Sequence, residues 1–275
     1  IYKFKGNSMK KICIFILILL SSFVYGVQPI EITSFYYPPY MGKNPVSEDG
    51  LLFDVVNAAF QSVQVPTITN LIPVKRGIYQ VKINESIAYI GILDTFDKNV
   101  IKNLEVYPLV DINFIMFYLK EKFPKGISYN KYSDLKPYTF AVLAGGITEV
   151  VAKNNNLKID SVYNFASIFE KVKTKRVDVG IAVDLSIDLW IKDLYKDSEY
   201  MFAKNIKKPF VTKSSVIVFN KTHPDYKIYK EKFEIGLENI VRNGEFLKIL
   251  EKYYGKGKVS KEAITLIQNT IKSFK

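Results

Sequence analysis

From Ile30 to Tyr254 the chain alternates short apolar stretches with longer ones whose apolar residues recur at helical spacing. That alternation limits the fold more than any other feature. Ile30–Phe35 reads as a strand, and Leu52, Val56, Ala59, Phe60 and Val63 then mark one face of an amphipathic helix. Ile68–Val74 predicts a second strand, Arg76–Asn84 a short helix, Ala88–Leu93 a third strand and Ile112–Lys120 a long one. The pattern then restarts. Tyr138–Leu143 predicts a strand ending in Gly145–Gly146, with a helix through Val150–Asn155. Phe165, Ile168, Phe169 and Val172 mark a helix, Val177–Val183 a buried strand, and Ile187, Trp190, Ile191 and Leu194 another helix. Ser214–Asn220 predicts the last strand. Tyr226, Tyr229, Phe233, Leu237 and Val241 predict a long helix, which Gly244 breaks before Phe246–Tyr254. Strands alternating with helices predict an α/β protein built from parallel βαβ units.

The restart after Lys120 predicts two lobes rather than one doubly wound sheet. Lys120–Asp134 and Ala203–Lys213, each carrying Pro, Gly or Lys, are the expected crossings, with a ligand cleft between the lobes. The expected division is residues 27–120 and 212–255 in the first lobe and 121–211 in the second. Residues 256–275 form a tail whose Ala263, Ile264, Ile267 and Ile271 share one helical stripe.

Composition excludes several classes. Met9, Lys10 and Lys11 precede the apolar run Ile12–Leu20, and Val24 and Gly26 stand where an export signal is cut. Residues 1–26 therefore read as upstream sequence and a signal peptide, and the expected location is the periplasm. Spanning a membrane takes about 20 apolar residues, roughly twice this run. The only cysteine, Cys13, lies in that segment, so disulfides and thiolate chemistry are not expected beyond it. The lone His223 precedes Pro224 and reads as a loop residue. No cofactor and no metal site is expected. The net charge is +12, but the lysines are spread along the chain, and no nucleic-acid partner is expected.

Several segments, taken in order, resemble one family. Tyr36–Tyr40 reads YYPPY, with Gly50 and Asp54 downstream; Pro73–Arg76 leads to Tyr79 and Val81; Thr95–Lys98 precedes Tyr107 and Pro108. Ser133–Leu135, then Gly145, Gly146 and Thr148, then Lys175–Asp178 (KRVD) and Asn243–Phe246 (NGEF) follow. The chain resembles the type II periplasmic solute-binding proteins, in the amino-acid-binding branch called bacterial extracellular solute-binding family 3. The resemblance implies two α/β lobes closing on a small polar ligand, usually an amino acid, for an ABC permease. A free-standing module serving a membrane receptor is the alternative. A dehydratase-like enzyme on the same fold is a further one, for which Asp184 and Glu149 are the only carboxylates to nominate. A monomer is expected.

An amino acid needs a cation or helix start for its carboxylate, an acid for its ammonium and a wall for its side chain. Phe35, Tyr36, Tyr37 and Tyr40 are placed for the wall, since aromatic rings supply rigid apolar area; Phe35 reads as core, and Tyr36 and Tyr40 are the expected ligand contacts. Gly146 and Thr148 open a helix whose N–H groups would receive an anion. The resemblance puts a carboxylate-clamping arginine where this chain has Lys98, a point charge without the bidentate fork. Arg76 is the expected replacement. Asp184 is expected either to receive the ammonium or to cap the helix that starts at Leu185.

Overall fold

A computed structural model describes residues 28–44, 47–196 and 201–274. The expected export signal, residues 1–26, lies outside the described residues. The strands are β1 (Ile30–Ser34), β2 (Thr67–Leu71), β3 (Ala88–Ile92), β4 (Leu104–Leu119), β5 (Thr139–Leu143), β6 (Lys158–Val162), β7 (Val179–Val183), β8 (Phe202–Lys204) and β9 (Val211–Asn220). They join in the order β2-β1-β3-β9-β4-β7-β5-β6, with β8 on β4.

The expected parallel units are present at both ends: β1 pairs parallel with β2 and β3, and β5 with β6 and β7. Between them run two long antiparallel strands. β4 pairs with β9 from Leu104 to Phe114, then with β7 from Phe114 to Phe117. One strand thus pairs with both parts of the sheet.

β4 starts eight residues before the stretch whose composition announces it, because Glu105, Pro108 and Asp111 interrupt the apolar pattern. Pro108 has no N–H to donate to the ladder, and the β4–β9 register shifts between Pro108 and Val110. The Ser215 hydroxyl repairs the gap by accepting from Val110 N–H at 3.3 Å and donating to Val110 C=O at 2.8 Å. Both backbone groups of Val110 are thereby satisfied inside the sheet. β6 and the three-residue β8 are strands that the pattern does not announce at all. β6 sits at the sheet edge with one fully buried residue, Val162, so its sequence shows no apolar run.

The helices are α1 (Leu51–Ser62), α2 (Val74–Lys82), a single turn α3 (Lys98–Ile101), α4 (Ile147–Asn154), α5 (Phe165–Lys173), α6 (Asp184–Leu194), α7 (Tyr226–Arg242), α8 (Glu245–Tyr254) and α9 (Lys261–Lys272). α1 buries residues all round, including Leu51, Leu52, Phe53, Val55, Val56 and Phe60, which marks it as a central helix rather than a surface one. It packs on α7 where Gly236 lets the backbones meet: a Cβ there would lie 2.0 Å from the Ala59 carbonyl oxygen. α9 lies along β4, buries Ile267, and donates the Thr270 hydroxyl to Pro108 C=O at 3.0 Å. The tail thus caps the bulged part of the crossing strand.

Candidate functional site

The loop after β1 turns back on itself: Tyr37 N–H donates to Met41 C=O at 2.7 Å, and Met41 N–H to Tyr37 C=O at 2.9 Å. This turn holds the aromatic residues against the second lobe at the β7–α6 junction. Tyr37 crosses furthest. Its ring stacks on Phe165 of α5 with centroids 3.8 Å apart and planes 10° off parallel, and its hydroxyl oxygen accepts Val183 N–H at 2.9 Å. Ser186 O–H donates to Pro38 C=O at 2.6 Å beside it. Burial keeps the Tyr37 phenol protonated well above the usual tyrosine range.

Tyr36 and Tyr40, the two rings expected to form a wall, part company. Tyr36 stands at the cleft mouth, 49% exposed, its ring edge-on to Trp190 of α6 at 6.3 Å. Tyr40 is 1% exposed and lines neither cavity of the cleft. Its hydroxyl meets Asp184 Oδ1 at 3.3 Å and the Tyr254 hydroxyl at 3.2 Å, and burial followed by Tyr254 raises its pKa. Neighbours on a tight turn point in different directions, so the YYPPY run could not assign each ring its side.

Two neighbouring cavities share Phe35, Val74, Leu143 and Phe165 in their linings. The inner one is further lined by Tyr37, Ile92, Thr95, Phe114, Ile181 and the start of α4, including Gly146 and Thr148. Its volume is about 20 Å³, room for a water or two, because the Tyr37 ring fills the space between the lobes. The mouth cavity, about 280 Å³, opens past Tyr36, Pro73, Lys75 and Tyr163.

The cations expected in the cleft lie elsewhere. Arg76 and Lys98 are both exposed and line neither cavity. α2 docks through Val74, Gly77 and Val81, which turns Arg76 to solvent and Lys75 to the cleft. Lys75 was not singled out in the sequence, because its neighbour offered the fork that binds carboxylates. Gly145, at φ 78°, is where Lys75 reaches the second lobe: a Cβ there would lie 2.9 Å from the lysine Cγ.

The start of α4 already carries a negative charge. Glu149, 6% exposed, accepts Gly145 N–H at 2.8 Å and the Ser161 hydroxyl at 2.6 Å, and pairs with Lys153 at 3.0 Å. Burial works to raise its pKa, but those three partners outweigh it and hold the carboxyl below its ordinary value. Gly146 and Thr148 still face the inner cavity.

Asp184 begins α6 and lines neither cavity. Its Oδ1 accepts Leu185 N–H at 2.8 Å as well as Tyr40 O–H, and its Oδ2 faces Asn113 Nδ2 at 3.5 Å. The helix starts one residue earlier than expected, with Val183 at the cap position and no side-chain cap, so Asp184 acts instead as a tie to the β1 loop. Among the described residues no group of three or more His, Cys, Asp or Glu gathers to hold a metal ion, and no helix is long and apolar enough to cross a membrane.

No protein-family model matches the chain, and no curated protein matches it by sequence. Solved structures do match by shape. The arginine-, lysine-, histidine-binding protein ArtJ from Geobacillus stearothermophilus superposes with a TM-score of 0.68 at 14% identity, over 86% of this chain and 100% of that one. The substrate-binding protein of an amino acid ABC transporter gives 0.65 at 17%, over 82% and 99%. A histidine kinase sensor domain with similarity to periplasmic binding proteins gives 0.68 at 11%, over 84% and 97%. The chain has the two-lobe, cleft-bearing α/β fold of the periplasmic binding proteins.

Proposed function

We propose that the chain is an exported solute-binding protein that captures a small molecule between its lobes and closes over it. The observation that carries this reading is a pair of adjoining cavities lined from both lobes, bridged by the Tyr37 and Lys75 contacts. A ligand that touches both lobes gains part of its contacts only when they meet, and that differential free energy shifts the balance toward the closed form. The lining offers the hydroxyls of Tyr37, Thr95 and Thr148 and, among the described residues, no carboxylate or histidine. That composition suits capture rather than turnover.

The solved structures of similar shape include binders of amino acids, one of them the binding protein of an ABC transporter. Delivery to an ABC permease from the periplasm, by a monomer divided near residues 120 and 212, is the matching proposal for this chain. The sensor domain of the same fold keeps a receptor role as the second reading. Thermal-shift screening against amino acids, polyamines and small carboxylates tests capture, since a ligand that binds only the folded form raises the melting temperature by mass action. Failure of the whole panel to move it refutes the reading. Whether ligand uptake by membrane vesicles from the source cells depends on added chain separates transport from sensing.

A further inference from the structure

Every side chain lining the two cavities is neutral except Lys75, among the described residues. The inner part is almost wholly apolar, with Phe35, Ile92, Phe114, Leu143, Phe165 and Ile181 around it. The carboxylates beside the lining are already engaged, Asp94 by Lys213. Asp184 is held by Tyr40, Leu185 and Asn113, and Glu149 by Gly145, Ser161 and Lys153; neither reaches the lining. A ligand ammonium entering this cleft would therefore lose its water without gaining an acid, which is costly. A carboxylate meets the opposite situation. Lys75 has no carboxylate partner among the described residues, and its stem lies against Gly145 across the cleft, so an anion held there would touch both lobes. Tyr36 and Tyr163, 49% and 87% exposed, flank the same opening with ring area that a planar or branched body could cover. The mouth cavity of about 280 Å³ falls at the small end of ligand sites.

We infer that the cleft takes a small monocarboxylate with an aromatic or branched apolar body and no amino group, its carboxylate on Lys75. The inference rests on the solute-binding reading and names the ligand class for it. The charge pattern meets half of what a zwitterion requires: among the described residues the lining has a cation and no acidic counterpart.

Isothermal titration of the purified chain with matched compounds tests it. The pairs are 3-phenylpropanoate against L-phenylalanine and 4-methylpentanoate against L-leucine; 2-phenylethylamine, 3-phenylpropanamide and L-arginine complete the panel. At least one acid is expected to bind tenfold or more tighter than its amino-acid partner and than the amine. Lys75→Gln is expected to weaken that acid at least tenfold and to leave 3-phenylpropanamide within twofold. Lys75 is exposed, so the variant is expected to fold, which its unchanged melting curve checks. An amino acid binding as tightly as its acid overturns the inference while leaving solute capture standing, as does tighter binding of the amine. Unchanged acid affinity in Lys75→Gln also overturns it. A panel in which nothing binds removes this inference and leaves solute capture to be decided by the wider thermal-shift screen.

Discussion

Replacing Tyr37 by phenylalanine removes one oxygen, the acceptor that Val183 N–H uses across the cleft at 2.9 Å. The ring, its stack on Phe165 at 3.8 Å and its apolar burial all remain. What is lost falls on the closed form alone, because opening the lobes returns Val183 N–H to water. A buried donor left without a partner costs about 1–3 kcal/mol, so the closed-to-open ratio should fall about 5- to 150-fold. Spin labels at Glu85 in the first lobe and Lys158 in the second, both exposed, read the result as a distance distribution by pulsed dipolar spectroscopy. A growing long-distance population is the expected outcome. If Tyr37→Phe lowers the melting temperature but leaves the distances unchanged, the hydroxyl is a core contact and the latch argument is wrong. If neither changes, Val183 N–H finds another partner and the assigned hydrogen bond carries no weight.

Other perturbations test the surrounding frame. Glu149→Gln should cost about 1.5–3 kcal/mol at neutral pH, since a carboxylate accepting charge-assisted bonds is replaced by an amide. Because the folded carboxyl titrates below its ordinary 4.5, its stabilisation is complete above that pH and is lost as the pH falls through the folded value. The gap between wild type and variant in urea melts should therefore narrow below pH 4.5, and a gap that widens there contradicts the assignment. Gly236→Ala gains about 1 kcal/mol of helix propensity, but its Cβ would strike the Ala59 carbonyl at 2.0 Å. Overpacking of about 1–3 kcal/mol should win, giving a lower denaturant midpoint. Ser260→Ala removes the hydroxyl that accepts Ala263 N–H at 3.1 Å at the start of α9. A loss of about 1 kcal/mol, with faster amide exchange in α9, is expected; unchanged exchange would show that packing on β4 alone holds the tail.

The helices were largely legible because their signal is local. Apolar residues every three to four positions in α5, α7 and α9 mark a face whatever the helix packs on, and the buried residues lie on those faces, whereas α1 is buried all round. The strands were legible where both faces are buried, as in β3 and β7. They failed where tertiary contacts make up for local sequence. Pro108 sits in β4 only because Ser215 supplies the missing ladder bonds, and β6 pairs as a polar edge strand with β5. The parallel pairing expected throughout fails at β4 and β9, which run antiparallel as the long strands between the lobes.

The site divides in the same way. From the sequence alone came the aromatic loop, the glycine-led start of α4 and the two-lobe plan, because residue type and spacing carry them. Which ring enters the cleft was decided by the turn from Tyr37 to Met41, which sends Tyr37 across to Val183 and Tyr40 down to Asp184 and Tyr254. Which cation faces the ligand was decided by how α2 docks, since burying Val74, Gly77 and Val81 leaves Lys75 over the cleft and Arg76 in solvent. Composition and periodicity determine which faces are apolar. The direction of a single side chain within a turn, or beside a helix's buried stripe, follows from contacts with residues far away in the chain, and only the assembled lobes supply those.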